Sequence, residues 1–101
     1  METAIAFSDL MSSGRFQEAS TYLTDDFTWT GPRKRLDKAA WLNTVLTTKM
    51  EAPILGEFHF DGNNKVSRKA SKKMMMMTFN LIQTLEITED GKIKTISVVR
   101  A

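Results

Sequence analysis

The spacing of apolar residues divides this chain in two, and that division sets its fold class. Up to about residue 49 apolar side chains recur mainly at helical intervals, with one short alternating stretch between, and from Leu55 onward they alternate with period two. Residues 3–12 carry Ile5, Phe7, Leu10 and Met11 at helical spacing, and Ser12-Ser13-Gly14 supplies a stop. Phe16, Ala19 and Leu23 share one stripe and place a second helix over 15–23. Thr24-Asp25-Asp26 breaks that pattern, and Phe27-Thr28-Trp29-Thr30 alternates as a short strand ended by Gly31-Pro32. Asp37 suits the N-cap of a third helix over 38–49, whose apolar face is Trp41, Leu42, Val45 and Leu46. Leu36 before the cap and Trp41 at the fourth helical position fit a hydrophobic staple. Pro53 closes the segment, because the residue before a proline avoids the helical region.

The remainder reads as strands. Leu55 to Asp61 alternates, with Phe58 and Phe60 on one face and Glu57, His59 and Asp61 on the other. Gly62-Asn63-Asn64 marks a turn. From 65 to 73 the odd positions are lysines and serines, a solvated face, and the even positions are Val66, Arg68, Ala70 and Lys72. Met74 to Met77 leads into a long strand through Ile87, with Phe79, Leu81, Leu85 and Ile87 in phase. Glu89-Asp90-Gly91-Lys92 is a hairpin signal. The last strand runs from Ile93 to Val99, and its apolar phase shifts between Ile93 and Ile96, as a bulge would shift it. Helices segregated from a hairpin-rich sheet make an α+β fold, and the length fits a single domain over residues 1–101.

Composition removes whole classes of chemistry. With no cysteine there is no disulfide, thiol nucleophile or thiolate metal site, and one histidine cannot build a multi-histidine centre. No metal and no cofactor is therefore expected. No apolar run approaches the roughly 20 residues needed to span a bilayer. Met1-Glu2-Thr3-Ala4-Ile5 lacks the basic and apolar regions of a secretory signal, so the expected location is cytoplasmic, or an organelle if a targeting segment precedes. Charge is uneven: residues 1–32 hold five acids and one arginine, whereas Lys65, Arg68, Lys69, Lys72 and Lys73 lie in a stretch without an acid. An anionic or nucleic-acid partner is one reading of that patch. Aromatic residues do not interleave with it and lysines commonly guard exposed strands, so a solvated face is preferred.

The stretch from Ser13-Gly14-Arg15-Phe16 through Leu23-Thr24-Asp25-Asp26-Phe27-Thr28-Trp29-Thr30-Gly31-Pro32 resembles the opening of the nuclear-transport-factor-2-like (NTF2-like) superfamily. The SnoaL-like polyketide cyclase and ketosteroid isomerase branches are its nearest kin. That family has a small turn after the first helix, an acidic pair after the second, and a short strand leading to Gly-Pro or Asp-Pro. A helix then begins near a residue such as Asp37, and a terminal hairpin often reads Asp-Gly-Lys-Ile, as residues 90–93 do. The resemblance covers nearly the whole chain. It implies a cystatin-like cone: three N-terminal helices with one inserted short strand, then a curved antiparallel sheet around the third helix, enclosing an apolar pocket. It also implies frequent homodimers with sheets packed face to face.

Function does not follow from such a fold, whose members include isomerases, cyclases, dehydratases and plain assembly modules. In the ketosteroid isomerase branch the carboxylate base precedes the proline that ends the first strand, a position that falls at Gly31 here. The tyrosine donor of the first helix falls at about Phe7. Neither residue moves a proton, so any isomerase or cyclase chemistry here uses other residues. Trp29, Trp41, Phe58, Phe60, Met76, Phe79 and Leu81 are the candidates for an apolar pocket wall, each weighed against plain core packing. Tyr22 is the only phenol. Arg68 shares a phase with Val66 and Ala70; if that face points inward, its guanidinium is placed to hold a carboxylate or enolate oxygen. Gln83 and Asn80 are candidate ligand hydrogen-bonders. Two expectations follow: a homodimeric domain that binds a small apolar molecule, or a non-catalytic assembly module with a closed core and a broad apolar sheet surface.

Overall fold

Helix α1 (Glu2–Ser12) turns Ala4, Phe7 and Ser8 to the interior, an i, i+3, i+4 stripe with Met11 half-buried behind it. The described residues of this computed structural model are 1–48 and 53–101. The second helix, α2 (Phe16–Ser20), is shorter than its apolar stripe predicts. Leu23 belongs instead to strand β1 (Leu23–Thr30), because Ile93 N–H donates to the Tyr22 carbonyl at 2.7 Å and draws the backbone into the sheet. The acidic pair does not end anything: pairing with the last strand skips from Leu23 to Thr28, so Asp25 and Asp26 bulge outward between the buried Leu23 and Phe27.

A second inserted strand, β2 (Arg35–Asp37), pairs antiparallel with β1. It carries no alternation long enough to be seen in sequence. Asp37 then caps α3 (Lys38–Thr47) as expected, its Oδ1 accepting the Ala40 N–H at 2.8 Å. Positions 49–52, which include the expected end of this helix, lie outside the described residues. Trp41 from α3 is 4% exposed and sits between the rings of Phe7 and Phe27, at centroid distances of 6.0 and 5.8 Å.

After Pro53 come β3 (Ile54–Leu55), β4 (His59–Phe60), β5 (Lys65–Met74), β6 (Met77–Ile87) and β7 (Ile93–Arg100). The sheet order is β2-β1-β7-β6-β5, with β3 and β4 both on the outer edge of β5. All pairings are antiparallel except β1 with β7, which is parallel. The sheet is curved and unclosed. Gly91, at φ +80°, makes the β6–β7 turn that Asp90-Gly91 announces. The bulge expected between Ile93 and Ile96 is present: Ile87 pairs with Ile93 and Glu86 with Thr95, so Lys94 is extra and both isoleucines stay buried.

The β5–β6 turn has no such sequence signal. Met75 and Met76 occupy it at φ +50° and +69°, fully exposed, with Met74 paired to Met77. A two-residue hairpin with both φ angles positive favours Asn-Gly, and a side chain in the left-handed region costs about 1–2 kcal/mol. Met75→Asn with Met76→Gly should therefore stabilise the fold by about 1 kcal/mol, read as a rise of roughly 4–8 °C in thermal denaturation.

Candidate functional site

Strand pairing sorts the sheet into two faces with different chemistry. Toward the helices, Val66, Leu85, Ile96 and Trp29 form one cross-strand row, and all but Trp29 are buried. The next row is Arg68, Gln83 and Val98, followed by Ala70, Leu81 and Arg100, and then Lys72 and Phe79. The core thus occupies one end of this face, and three cations and no acid occupy the rows beyond it. The opposite face carries Lys65, Ser67, Lys69, Ser71 and Lys73 against Glu86, Thr84, Ile82, Asn80 and Thr78.

Arg68 is the unusual member. It is 7% exposed, a burial that arginine rarely reaches without a paired charge. Its Nε donates to Gln83 Oε1 at 2.7 Å and its Nη1 to Ser8 Oγ at 2.8 Å, and its guanidinium carbon lies 4.3 Å from the centroid of the Phe58 ring. All three partners are neutral. Among the described residues no carboxylate lies within ion-pair distance of Arg68, and Nη2 donates to no protein atom. Burial pulls its pKa below the ordinary arginine value, which begins so high that the group stays charged.

A cleft of about 410 Å³, open to solvent, ends on this guanidinium. Ile5, Ser8 and Asp9 of α1 form one wall with Met1, and Gly56, Glu57 and Phe58 of the β3–β4 connection form the other. That connection exists because pairing is broken there: Leu55 faces Ala70 and His59 faces Ser67, so three residues stand opposite two. Gly56 N–H still donates to the Lys69 carbonyl at 2.7 Å, and a Cβ on Gly56 would meet that same oxygen at 3.0 Å. The bulge therefore swings Phe58 beneath Arg68. A second groove of the same volume lies between α1 and α2, lined by Ala6, Asp9, Leu10, Glu18, Thr21 and Tyr22.

The structure brings together Phe58, Arg68 and Gln83 from the sequence-derived candidates. Tyr22 is at the other groove. Trp41 is core, closed in by Phe7 and Phe27. Phe60, paired opposite Val66 on the two-residue edge strand β4, is 66% exposed and lines neither groove; Met76 is likewise in solvent, at the hairpin tip. Trp29 is half-buried with its indole over Gly31, where a Cβ would fall 2.4 Å from the ring. Leu81 and Phe79 are half-buried farther along the inner face, Phe79 with the Arg100 guanidinium 5.4 Å from its ring centroid. Asn80 is on the outer face and exposed. Ser8 and the cleft carboxylates Asp9 and Glu57 were not singled out in sequence; Ser8 is visible there only as a polar residue on the 4-7-8-11 stripe of α1. Phe7 is buried and Gly31 has no side chain, so the two positions that correspond to ketosteroid isomerase groups supply no acid or base. Among the described residues no three His, Cys, Asp or Glu side chains form a metal-binding group. No described helix is long and apolar enough to cross a membrane.

No protein-family model matches the chain, and no curated protein matches it in sequence. Solved structures do match. An NTF2-like protein of unknown function from Cytophaga hutchinsonii aligns with a TM-score of 0.81 at 18% identity, covering 98% of this chain and 87% of its own. A steroid delta-isomerase from Pseudomonas aeruginosa gives 0.80 at 18% identity over 97% and 76%. SalBIII, an epoxide hydrolase/cyclase-like enzyme of pyran ring formation in salinomycin, gives 0.77 at 14% identity over 99% and 88%. At these identities the likeness is one of architecture, and with the curved sheet and its helix-covered face it establishes that the chain has the NTF2-like cone fold.

Proposed function

We propose that this chain binds a small, mainly apolar molecule in the cleft between α1 and Gly56–Phe58, and acts as an isomerase- or cyclase-type domain with residues unlike those of ketosteroid isomerases. The observation that carries the reading is the cleft itself. Its volume of about 410 Å³ suits a small ligand, and Ile5, Phe58 and Met1 give it apolar walls around a few polar groups. Two fold neighbours named for an isomerase and a cyclase-like enzyme support small-molecule chemistry on this scaffold. Asp9 and Glu57 are the carboxylates that line the cleft, and they are its candidates for moving a proton. The assembly-module reading needs a broad apolar sheet surface. The outer face instead carries lysine and serine along β5 and Thr84, Thr95 and Ser97 on β6 and β7, with Ile82 and Val99 as its one apolar pair across those strands.

A neutral, environment-sensitive naphthalene dye tests the reading. It should bind the wild-type chain with a blue-shifted emission. Ile5→Trp, at a half-exposed position on the cleft wall, should weaken that binding at least about tenfold, the effect of losing roughly 1.4 kcal/mol, and leave the melting temperature nearly unchanged. Dye binding that ignores Ile5→Trp, or no dye binding at all, would remove the cleft as the ligand site.

A further inference from the structure

Among the described residues Arg68 is a charge without a counterion, at the end of a cleft, and that combination narrows what the cleft takes. A buried guanidinium held only by neutral partners keeps most of its desolvation cost. Gln83, Ser8 and the Phe58 ring fix its plane, but they leave Nη2 and one Nη1 hydrogen unused. Nη2, with both hydrogens free, stands beside Nη1 at the end of the group. Two parallel N–H donors at that spacing match the two oxygens of a carboxylate. The surroundings agree in sign, since the next inner-face row beyond Arg68 is Ala70, Leu81 and Arg100, with no acid. Asp9 and Glu57 line the cleft from exposed positions, where solvent and salt screen their repulsion. Apolar walls from Ile5 and Phe58 beside the cation call for a ligand with an apolar body, not a bare inorganic anion.

We infer that the molecule held in this cleft carries a carboxylate, clamped by the free edge of Arg68 while its apolar body lies against Phe58 and Ile5. The inference rests on the small-molecule reading above and adds the charge of the ligand to it. Ser8 and Gln83 are positioning residues, because they touch Arg68 and set the plane of its fork.

The probes are 2-naphthoate and its neutral isostere 2-naphthamide, titrated by calorimetry into the full chain at low and moderate salt. Wild type should prefer the carboxylate at least about tenfold. Arg68→Met should abolish the preference, and Arg68→Lys, which keeps charge but loses the fork, should retain only part of it. Circular dichroism of each variant establishes that it is folded. If Arg68→Met does not fold, protection of Arg68 by naphthoate against phenylglyoxal replaces it, and absence of protection overturns the inference. Equal binding of the two probes overturns the carboxylate inference and leaves the cleft reading standing. A preference that survives Arg68→Met overturns it as well, by placing the anion elsewhere. Binding of the neutral dye alone does the same.

Discussion

Trp41→Ala should be the most damaging single substitution on α3, costing about 3–5 kcal/mol. The indole is 4% exposed and touches the rings of both Phe7 from α1 and Phe27 from β1. It is therefore the piece through which the helices and the sheet share one core. Truncation removes its transfer energy and its two ring contacts together, and it leaves a hole that α3 cannot fill without moving off β1. Domains of this size have about 5–15 kcal/mol of stability in total, so the variant should be partly unfolded near physiological temperature. Each kcal/mol corresponds to roughly 4–8 °C in melting temperature. Leu46→Ala on the same helix is the control: Leu46 is half-exposed, and its loss should cost less than about 1 kcal/mol. If the two variants melt alike, Trp41 is not the link between layers.

The same residue shows what a one-dimensional pattern can and cannot specify. Trp41 was legible as an apolar-face residue because Asp37 fixed the start of the helix, and the cap hydrogen bond is there. Whether it faced a ligand or a core was not legible, since that depends on Phe7 and Phe27, 34 and 14 residues away. The phase that Arg68 shares with Val66 and Ala70 was legible because β5 runs ten residues without a register shift, but whether that face points inward was not. Its neutral partner Ser8 comes from 60 residues earlier and left no periodic trace beyond a polar residue in a buried stripe. Phe60 keeps the phase of Val66, but it stands on a two-residue edge strand and is left 66% exposed, which alternation alone does not reveal. The strand start at Leu23 and the parallel β1–β7 pairing were missed because each is imposed by the distant edge of β7, and β2 because three residues carry no visible alternation. The methionine turn had no glycine or asparagine to announce it. Local chemistry thus marked the caps, the Asp90-Gly91 turn and the long strands, and the cleft arose where two local patterns fail.

Gln83→Glu should give the chain its own counterion for Arg68, and so compete with any ligand that supplies one. Gln83 Oε1 accepts from Arg68 Nε at 2.7 Å, so a carboxylate of nearly the same shape meets the same donor as a charge-assisted bond. Hydrogen bonds to charged groups contribute about 1.5–3 kcal/mol against about 0.5–1.5 for neutral ones, so a gain near 1 kcal/mol at pH 7 is expected. The guanidinium favours the ionised form, so the introduced carboxyl has a folded-state pKa below its unfolded value of about 4.3. Its stabilisation is then fully present above that unfolded value and is lost as pH falls through the lower folded one. Melting curves of variant and wild type should separate at pH 7 and converge toward pH 3. Binding should move the opposite way: naphthoate affinity should fall by about 100-fold, since the ligand now meets a neutralised fork and a like charge, whereas the neutral dye should be affected far less. A single substitution that raises stability and removes anion affinity is hard to reconcile with a purely structural Arg68. If naphthoate binds Gln83→Glu as it binds wild type, the guanidinium is a core cation that the bulged strand merely leaves uncovered, and the carboxylate belongs somewhere else.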